Sequence, residues 1–349
     1  MQPTKKALAA LSLSLLGTLA NAGESGRSYT PIVGYDDKNG ALYGAAAFAY
    51  QDGRPGYNGG LYGVSNGRDF HAATLSVEKR PAQGLDLALR STLARSFDNY
   101  YGEGDQTSTD GALVLKQDTL DANASAMLRL KDDRWAVGPS VSVKGRREQA
   151  VTRLEDGSKV EHRAFLDSAD PAFGLRAAFD DRDSNMSSTK GRLVAVDVRA
   201  LPSKIAFADG AQDAYQAQAE WRQFQTLGSH AVLAHRLAGG ASLGEPGYAD
   251  RYSLGGTGQL RGFQDNRFRG RQFYCVQEEV RVPVWKAVSL ASSVDLGDVG
   301  DGKLSHPRHS VQAGLRAGLP PSYGMKARLD VGYGDAGEKS LALQFGETF

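Results

Sequence analysis

The stretch LDLALRSTLA, residues 85–94, alternates apolar and polar side chains. In an extended chain its leucines point to one face, while Asp86, Arg90 and Thr92 point to the other. GMKARLDVGY, residues 324–333, repeats the pattern with more charges. Alternation of this kind predicts β-strands that separate an apolar surface from a polar one.

The length and number of such segments favour a membrane barrel over a soluble sandwich. From about residue 28 onward we count about sixteen of them, each near ten residues, whereas sandwich strands run nearer 5 or 6. The first is expected near residues 30–35. Short links alternate with longer ones, and the longest spans residues 243–272. The sequence therefore predicts an all-β protein, a transmembrane antiparallel β-barrel with a long extracellular loop folded into its lumen.

The N-terminus carries the features of a secretory signal peptide. Lys5 and Lys6 precede a short apolar run, and Ala20 and Ala22 occupy the small-residue positions of a cleavage site. We expect residues 1–22 to be the signal peptide and residues 23–349 to form one barrel domain, with no room for a periplasmic domain before it. The expected location is the outer membrane of a Gram-negative bacterium.

Composition excludes several other classes of protein. No later segment is apolar enough for a membrane helix, and the mean hydropathy is −0.40. A net charge of +1 argues against nucleic acid as a partner. The single cysteine, Cys275, allows no internal disulfide. We predict no cofactor and no metal site, because the histidines lack further ligands nearby.

The longest link contains GGTGQLRGF, residues 255–263. If this loop folds inward, Arg261 enters a confined polar space and requires a carboxylate partner. Asp295, on the inward face of the next strand but one, is the first candidate, and Glu279 is the second. The glycines would let the backbone bend against the wall.

Three ordered motifs resemble those of the BamA and TamA outer-membrane assembly barrels and their two-partner-secretion relatives, over most of residues 165–349. The loop motif comprises Gly255, Gly256, Leu260, Arg261, Gly262 and Phe263; the wall motif, Asp295 and Gly297; and the turn motif, Arg182, Asp183, Thr189, Lys190 and Gly191. The resemblance implies a sixteen-stranded barrel whose sixth extracellular loop is held by an Arg261–Asp295 pair. It also implies a weak seam between the first and last strands.

The chain ends in LALQFGETF, an apolar strand closed by aromatic residues. Phe345 and Phe349 match the C-terminal signal that the barrel-assembly machinery reads. Family members that insert or secrete proteins carry periplasmic POTRA domains, and we expect this chain to be a short form without them. A separate periplasmic partner would then supply the missing receptor.

The leading hypothesis is assembly, insertion or translocation at the seam, with outer-membrane lipid as a partner and unfolded outer-membrane proteins or lipids as clients. A passive pore for small solutes is the alternative. We do not expect an enzyme. Ser65 in GVSNG matches a nucleophile elbow only superficially, because an alternating strand follows it, and no serine and histidine are expected to meet at the rim.

Overall fold

The computed structural model describes residues 25–36, 40–51, 55–81, 84–104, 107–109, 112–130, 132–153, 159–184, 187–206, 212–228, 230–318, 326–335, 337–345 and 347. The expected signal peptide lies outside the described residues. Eighteen strands are present: β1 Ser25–Asp36, β2 Gly40–Gln51, β3 Gly56–Ser65, β4 His71–Arg80, β5 Leu85–Tyr100, β6 Leu113–Leu130, β7 Trp135–Arg153, β8 Lys159–Asp180, β9 Gly191–Leu201, β10 Ala214–Leu227, β11 Ala231–Gly244, β12 Tyr252–Leu254, β13 Phe268–Gly270, β14 Gln272–Trp285, β15 Val288–Gly300, β16 Arg308–Gly318, β17 Lys326–Gly334 and β18 Lys339–Phe345. Two 3-10 helices cover Ser203–Ile205 and Tyr248–Asp250.

Sixteen of the strands form one antiparallel sheet, in which each strand pairs with its neighbour along the chain. The order runs from β1 to β18, and only β12 and β13 stand apart as a separate two-stranded ribbon. The predicted count of about sixteen is confirmed. In the part of the chain that the structure describes, no helix is both long enough and apolar enough to span a membrane.

The sheet curls around the loop that joins β11 to β14. In that loop, Arg267 donates to the Thr107 carbonyl oxygen, after β5, and its Nε lies 2.5 Å from Glu338 Oε1, just before β18. In a flat sheet with strands about 4.8 Å apart, β5 and β17 would be about 50 Å from each other. One side chain can reach both connections only because the sheet bends into a barrel, with the loop in its lumen.

The two faces of the sheet follow the alternation in the sequence. On β5, Leu87, Leu89 and Leu93 point outward and are exposed, while Asp86 points inward and is buried. Arg328 and Asp330 of β17 are buried in the lumen, while Val331 and Tyr333 are exposed on the outside. The apolar outer surface is the one that lipid covers in a membrane barrel.

Strand lengths depart from the prediction on one side of the barrel. The strands β5 to β8 contain 16, 18, 19 and 22 residues rather than about ten. Ten residues of a tilted strand already cover an apolar band of about 25 Å. These strands therefore continue past the band at the end where the β11–β14 loop emerges, which we call the loop end. The opposite end, where β1 begins and β18 finishes, is the terminal end. The first strand begins at Ser25, earlier than predicted.

Candidate functional site

The loop between β11 and β14 brings its own apolar side chains into the barrel. Leu254, Leu260, Phe263 and Phe268 are almost fully buried. They pack with Tyr252 against the wall residues Ala238, Phe273, Cys275 and Val299 in one cluster. Burying these side chains removes apolar surface from the aqueous lumen, which stabilises the inward position of the loop.

The turn at residues 255–262 uses backbone conformations that favour glycine. Gly255, Gly256 and Gly262 have φ values of 109°, 95° and 112°. A Cβ at Gly256 would lie 2.0 Å from Asp265 Oδ1, so no side chain fits there. Leu260 also adopts a positive φ, of 51°, and its side chain is fully buried. The turn thereby aims Arg261 at the wall.

Arg261 is 1% exposed and contacts two carboxylates. Its Nε and Nη2 atoms donate to Asp295 Oδ2 and Oδ1 over 2.9 Å and 2.6 Å, and its backbone N–H donates to Oδ2 over 2.8 Å. Nη1 donates to Glu279 Oε2 over 2.5 Å. Burial alone would lower the pKa of Arg261, but Asp295 and Glu279 raise it above its usual value, so the guanidinium stays charged.

The wall adds partners that the sequence analysis did not identify. Gln277 donates to Asp295 Oδ2 over 2.8 Å and accepts from Arg236 Nη1 over 2.8 Å. Arg281 Nε lies 2.7 Å from Glu279 Oε1, and Arg316 Nη2 lies 3.6 Å from Oε2. Period two places these residues inward, but only the register of β11 to β16 brings them together.

Glycines on the wall make room for the tip of the loop. A Cβ at Gly332 would lie 2.7 Å from Gly262 Cα, and one at Gly334 would lie 2.7 Å from the Phe263 ring. A Cβ at Gly297, in the wall motif, would lie 2.8 Å from the Tyr274 carbonyl oxygen and 3.1 Å from Leu254. Each glycine therefore permits a backbone approach that a larger residue would block.

The other side of the loop is attached to the facing wall. Asp250 is buried and lies 2.9 Å from Lys144 Nζ on β7. Gln216 of β10 donates to the Asp250 carbonyl oxygen over 2.8 Å. Arg269 stacks 4.2 Å above the ring of Tyr248, and burial raises the pKa of that phenol. The loop thus spans the lumen and is held on both sides.

The turn motif lies at the terminal end, between β8 and β9. Asp183 accepts from the backbone N–H groups of Thr189 and Lys190 over 2.8 Å and 3.1 Å and from the Thr189 hydroxyl over 2.5 Å. Arg182 donates to Asp180 with Nε and Nη2, both over 2.8 Å. Gly191 has a φ of 88°, and a Cβ there would lie 2.4 Å from the Asp181 carbonyl oxygen. The five motif residues form one ordered turn, about which the loop motif makes no demand.

The C-terminal signal lies mostly beyond what can be seen. Phe345 ends β18, where it pairs with Ala327, and Phe349 lies outside the described residues.

The expectation that no serine and histidine meet at the rim is wrong. Ser65 Oγ lies 2.8 Å from His71 Nδ1 across the hairpin between β3 and β4. The same oxygen accepts from the Gly67 N–H over 2.8 Å, and the other ring nitrogen of His71 lies 3.3 Å from the Arg68 carbonyl oxygen. A nucleophile needs a base that is oriented by a third group such as a carboxylate. These contacts instead close a tight turn.

Comparison with known families follows the same boundaries as the loop, wall and turn motifs. The model of the Omp85 superfamily domain matches residues 140–349. The chain belongs to the Omp85 superfamily. The protein is accordingly a β-barrel of the Gram-negative outer membrane. Comparison with curated proteins gave no significant match.

Solved Omp85 barrels share the fold at low sequence identity. BamA from Haemophilus ducreyi lacking POTRA domains 1–3 is 16% identical with a TM-score of 0.60, over 96% of this chain and 74% of that one. CdiB from Acinetobacter baumannii is 12% identical with a TM-score of 0.59, over 97% of this chain and 65% of that one. CdiB from Escherichia coli is 12% identical with a TM-score of 0.59, over 98% and 67%. This chain thus spans about two thirds to three quarters of the length of these structures.

Proposed function

We propose that this Omp85 barrel assembles, inserts or translocates outer-membrane components at the seam between β1 and β18. The observation that carries the proposal is the loop held in the lumen by the contacts of Arg261 with Asp295 and Glu279. These contacts join the loop to β14 and β15, so that part of the barrel is braced from inside. The end strands β1 and β18 lie outside the braced region.

The last strand has the dimensions of a weak seam. β18 has seven residues, whereas β1 has 12. A short strand leaves part of its neighbour's edge without a partner, and unpaired backbone groups are costly in lipid. An incoming strand can satisfy those groups, and a locally unsatisfied edge also disturbs adjacent lipid. Neither action needs a nucleotide or another cofactor.

The clients that fit this chemistry are unfolded outer-membrane proteins, which supply a strand, or lipids. Outer-membrane lipid surrounds the seam in either case. A separate periplasmic partner would deliver protein clients to the terminal end. The turn motif of Arg182, Asp183, Thr189, Lys190 and Gly191 lies at that end and is a proposed contact for it.

A passive pore for small solutes is the alternative. The loop argues against it, because it crosses the lumen from Lys144 on β7 to Asp295 on β15 and carries a buried apolar cluster. A pore selected for conduction gains nothing from such a plug.

Reconstitution into liposomes tests the two functions side by side. Wild-type barrel is expected to accelerate insertion of an unfolded barrel protein while conducting few ions, and Arg261→Ala is expected to lose insertion and to conduct more. Arg176→Ala, which removes an exposed lumen pair with Asp197 at 2.9 Å, serves as the control. High wild-type conductance without any insertion activity would support the passive pore instead.

A further inference from the structure

A row of charged side chains crosses the outer face of β4 to β8, near the loop end. The strand register aligns His71, Arg95, Asp118, Arg147 and Asp167, one residue on each strand. Arg95 Nε lies 2.6 Å from Asp118 Oδ1, and Arg147 Nε lies 3.3 Å from Asp167 Oδ2. The four side chains of these pairs are 40% to 66% exposed. Positive and negative charges therefore alternate along the row.

The row lies at the upper edge of the lipid-covered band. Along β5 the outward residues below Arg95 are apolar, ending with Leu93, which is 58% exposed. The lower edge of the same surface, on β7 and β8, carries Trp135 and Phe179, whose ring centroids are 5.0 Å apart. Aromatic residues of this kind mark the membrane interface in barrels. The charges thus stand where lipid headgroups begin.

A groove of about 590 Å³ runs beneath the row. Its floor contains Ala73 and Gly145, and Leu93 and Leu120 line its sides. The register places these four residues in one line across β4 to β7, directly below the charges. Small residues between larger ones leave a depression in the apolar band that an alkyl chain fits.

We propose that this groove and the row above it bind a zwitterionic membrane lipid whose headgroup carries a phosphate and a primary ammonium group. The phosphate accepts hydrogen bonds from Arg95 and Arg147, the ammonium donates to Asp118 and Asp167, and one acyl chain lies over Gly145. This site is on the outside of the barrel and does not depend on the proposed function of the seam.

The alternation of charge decides the class of lipid. A guanidinium has five N–H donors, so Arg95 and Arg147 keep spare donors for a phosphate while paired with carboxylates. Neighbouring charges lie about one strand spacing apart, about 4.8 Å, which suits a phosphate and an ammonium joined by two carbons. A lipid with only negative charge would meet both aspartates and be repelled.

Native mass spectrometry of the intact barrel in detergent tests the proposal. An equimolar mixture of phosphatidylethanolamine, phosphatidylcholine and phosphatidylglycerol with identical acyl chains is added, and the bound lipid is counted. We expect phosphatidylethanolamine to be retained most, because its ammonium keeps N–H donors that choline lacks. Asp118→Asn with Asp167→Asn is expected to reduce that preference about fivefold, the effect of losing an exposed charge pair. Arg95→Gln with Arg147→Gln is expected to reduce retention of all three lipids.

The matched control is Arg176→Gln with Asp197→Asn. This pair also joins adjacent strands, at 2.9 Å and with 40% exposure of each side chain, but it faces the lumen. It should leave lipid retention unchanged. Equal retention of the three lipids by wild type, or an equal loss in the lumen control, overturns the proposal.

Two further measurements cover the groove and the source of the headgroup. Gly145→Leu fills the depression without altering a charge, and a Cβ there meets only ordinary contacts, the nearest 3.4 Å from Leu120 Cβ. It should reduce lipid retention even if the charge variants fail to fold. Unchanged retention would rule out the groove. Soluble phosphoethanolamine should not displace the lipid; if it binds equally well, the row is a site for small soluble ions and not for lipid.

Discussion

Arg261 contacts Asp295 through three hydrogen bonds, two from its guanidinium and one from its own backbone N–H. The backbone bond matters because it requires the peptide itself, and not only the long side chain, to lie against β15. A flexible loop that merely sampled the lumen would not hold its main chain at 2.8 Å from a wall carboxylate. The contact therefore fixes the position of the loop and its charge together.

Replacement of Arg261 should destabilise the barrel strongly. In Arg261→Ala, Asp295 and Glu279 stay buried without this partner, and breaking a buried pair costs about 3 to 5 kcal/mol. Arg261→Lys should recover only part of the loss, because an ammonium cannot make the two-point contact. Urea unfolding in lipid vesicles, followed by heat-modifiable gel migration, measures both. The exposed Arg176→Ala should cost no more than about 1 kcal/mol; similar losses at the two positions would contradict the role of burial.

Glu279 should behave as the centre of a charge cluster rather than as the partner of one residue. Three guanidinium groups, from Arg261, Arg281 and Arg316, lie within 3.6 Å of its oxygens. We expect Glu279→Gln to destabilise the barrel by about 3 kcal/mol, since it leaves excess positive charge in a buried site. Adding Arg281→Gln should cost less than it does in the wild type. A double-mutant cycle measures this coupling, expected at about 1 to 3 kcal/mol, and strict additivity would refute it.

The sequence predicts this site in outline because two kinds of information are local. Alternation sorts Asp295 and Glu279 to the inner face, and the glycines around Arg261 indicate a special turn. The partners Gln277 and Arg236 were not predicted, because their meeting depends on the register between β11 and β14. Strand lengths were underestimated for β5 to β8, because alternation continues where the strands leave the membrane. The Ser65–His71 contact was missed because a hairpin turn, not a sequence motif, brings the two residues together.

Gly332→Ala should push the loop tip off the wall. The added methyl would lie 2.7 Å from Gly262 Cα, a backbone atom that cannot rotate away. We expect a loss of about 1 to 3 kcal/mol, typical of overpacking, and higher ion conductance as the tip lifts. Planar-bilayer recording measures the conductance. Gly258→Ala, in the same loop with nothing within 4 Å of its Cβ, is the matched control and should conduct like the wild type.

Asp183 should make the turn motif sensitive to acid. Burial alone would raise the pKa of Asp183, but hydrogen bonds from the Thr189 hydroxyl, the Thr189 N–H and the Lys190 N–H lower it below its usual value. A carboxyl whose pKa is lower in the folded protein adds stability above its unfolded pKa, about 3.9, and that contribution is lost as the pH falls through the folded pKa. We expect Asp183→Asn to cost about 1 kcal/mol at pH 7, because the group is exposed and its bonds compete with water. The difference from wild type should shrink below about pH 4.

Thr189→Val separates the hydroxyl from the two backbone donors in the same turn. It removes one of the three bonds to Asp183, so its cost at pH 7 should be smaller than that of Asp183→Asn and should fade over the same acid range. Urea unfolding of the three proteins between about pH 3 and pH 8 supplies the curves, since the carboxyl titrates at the lower end of that window. A cost for Asp183→Asn that stays constant down to pH 3 would mean that the turn depends on the shape of the side chain and not on its charge.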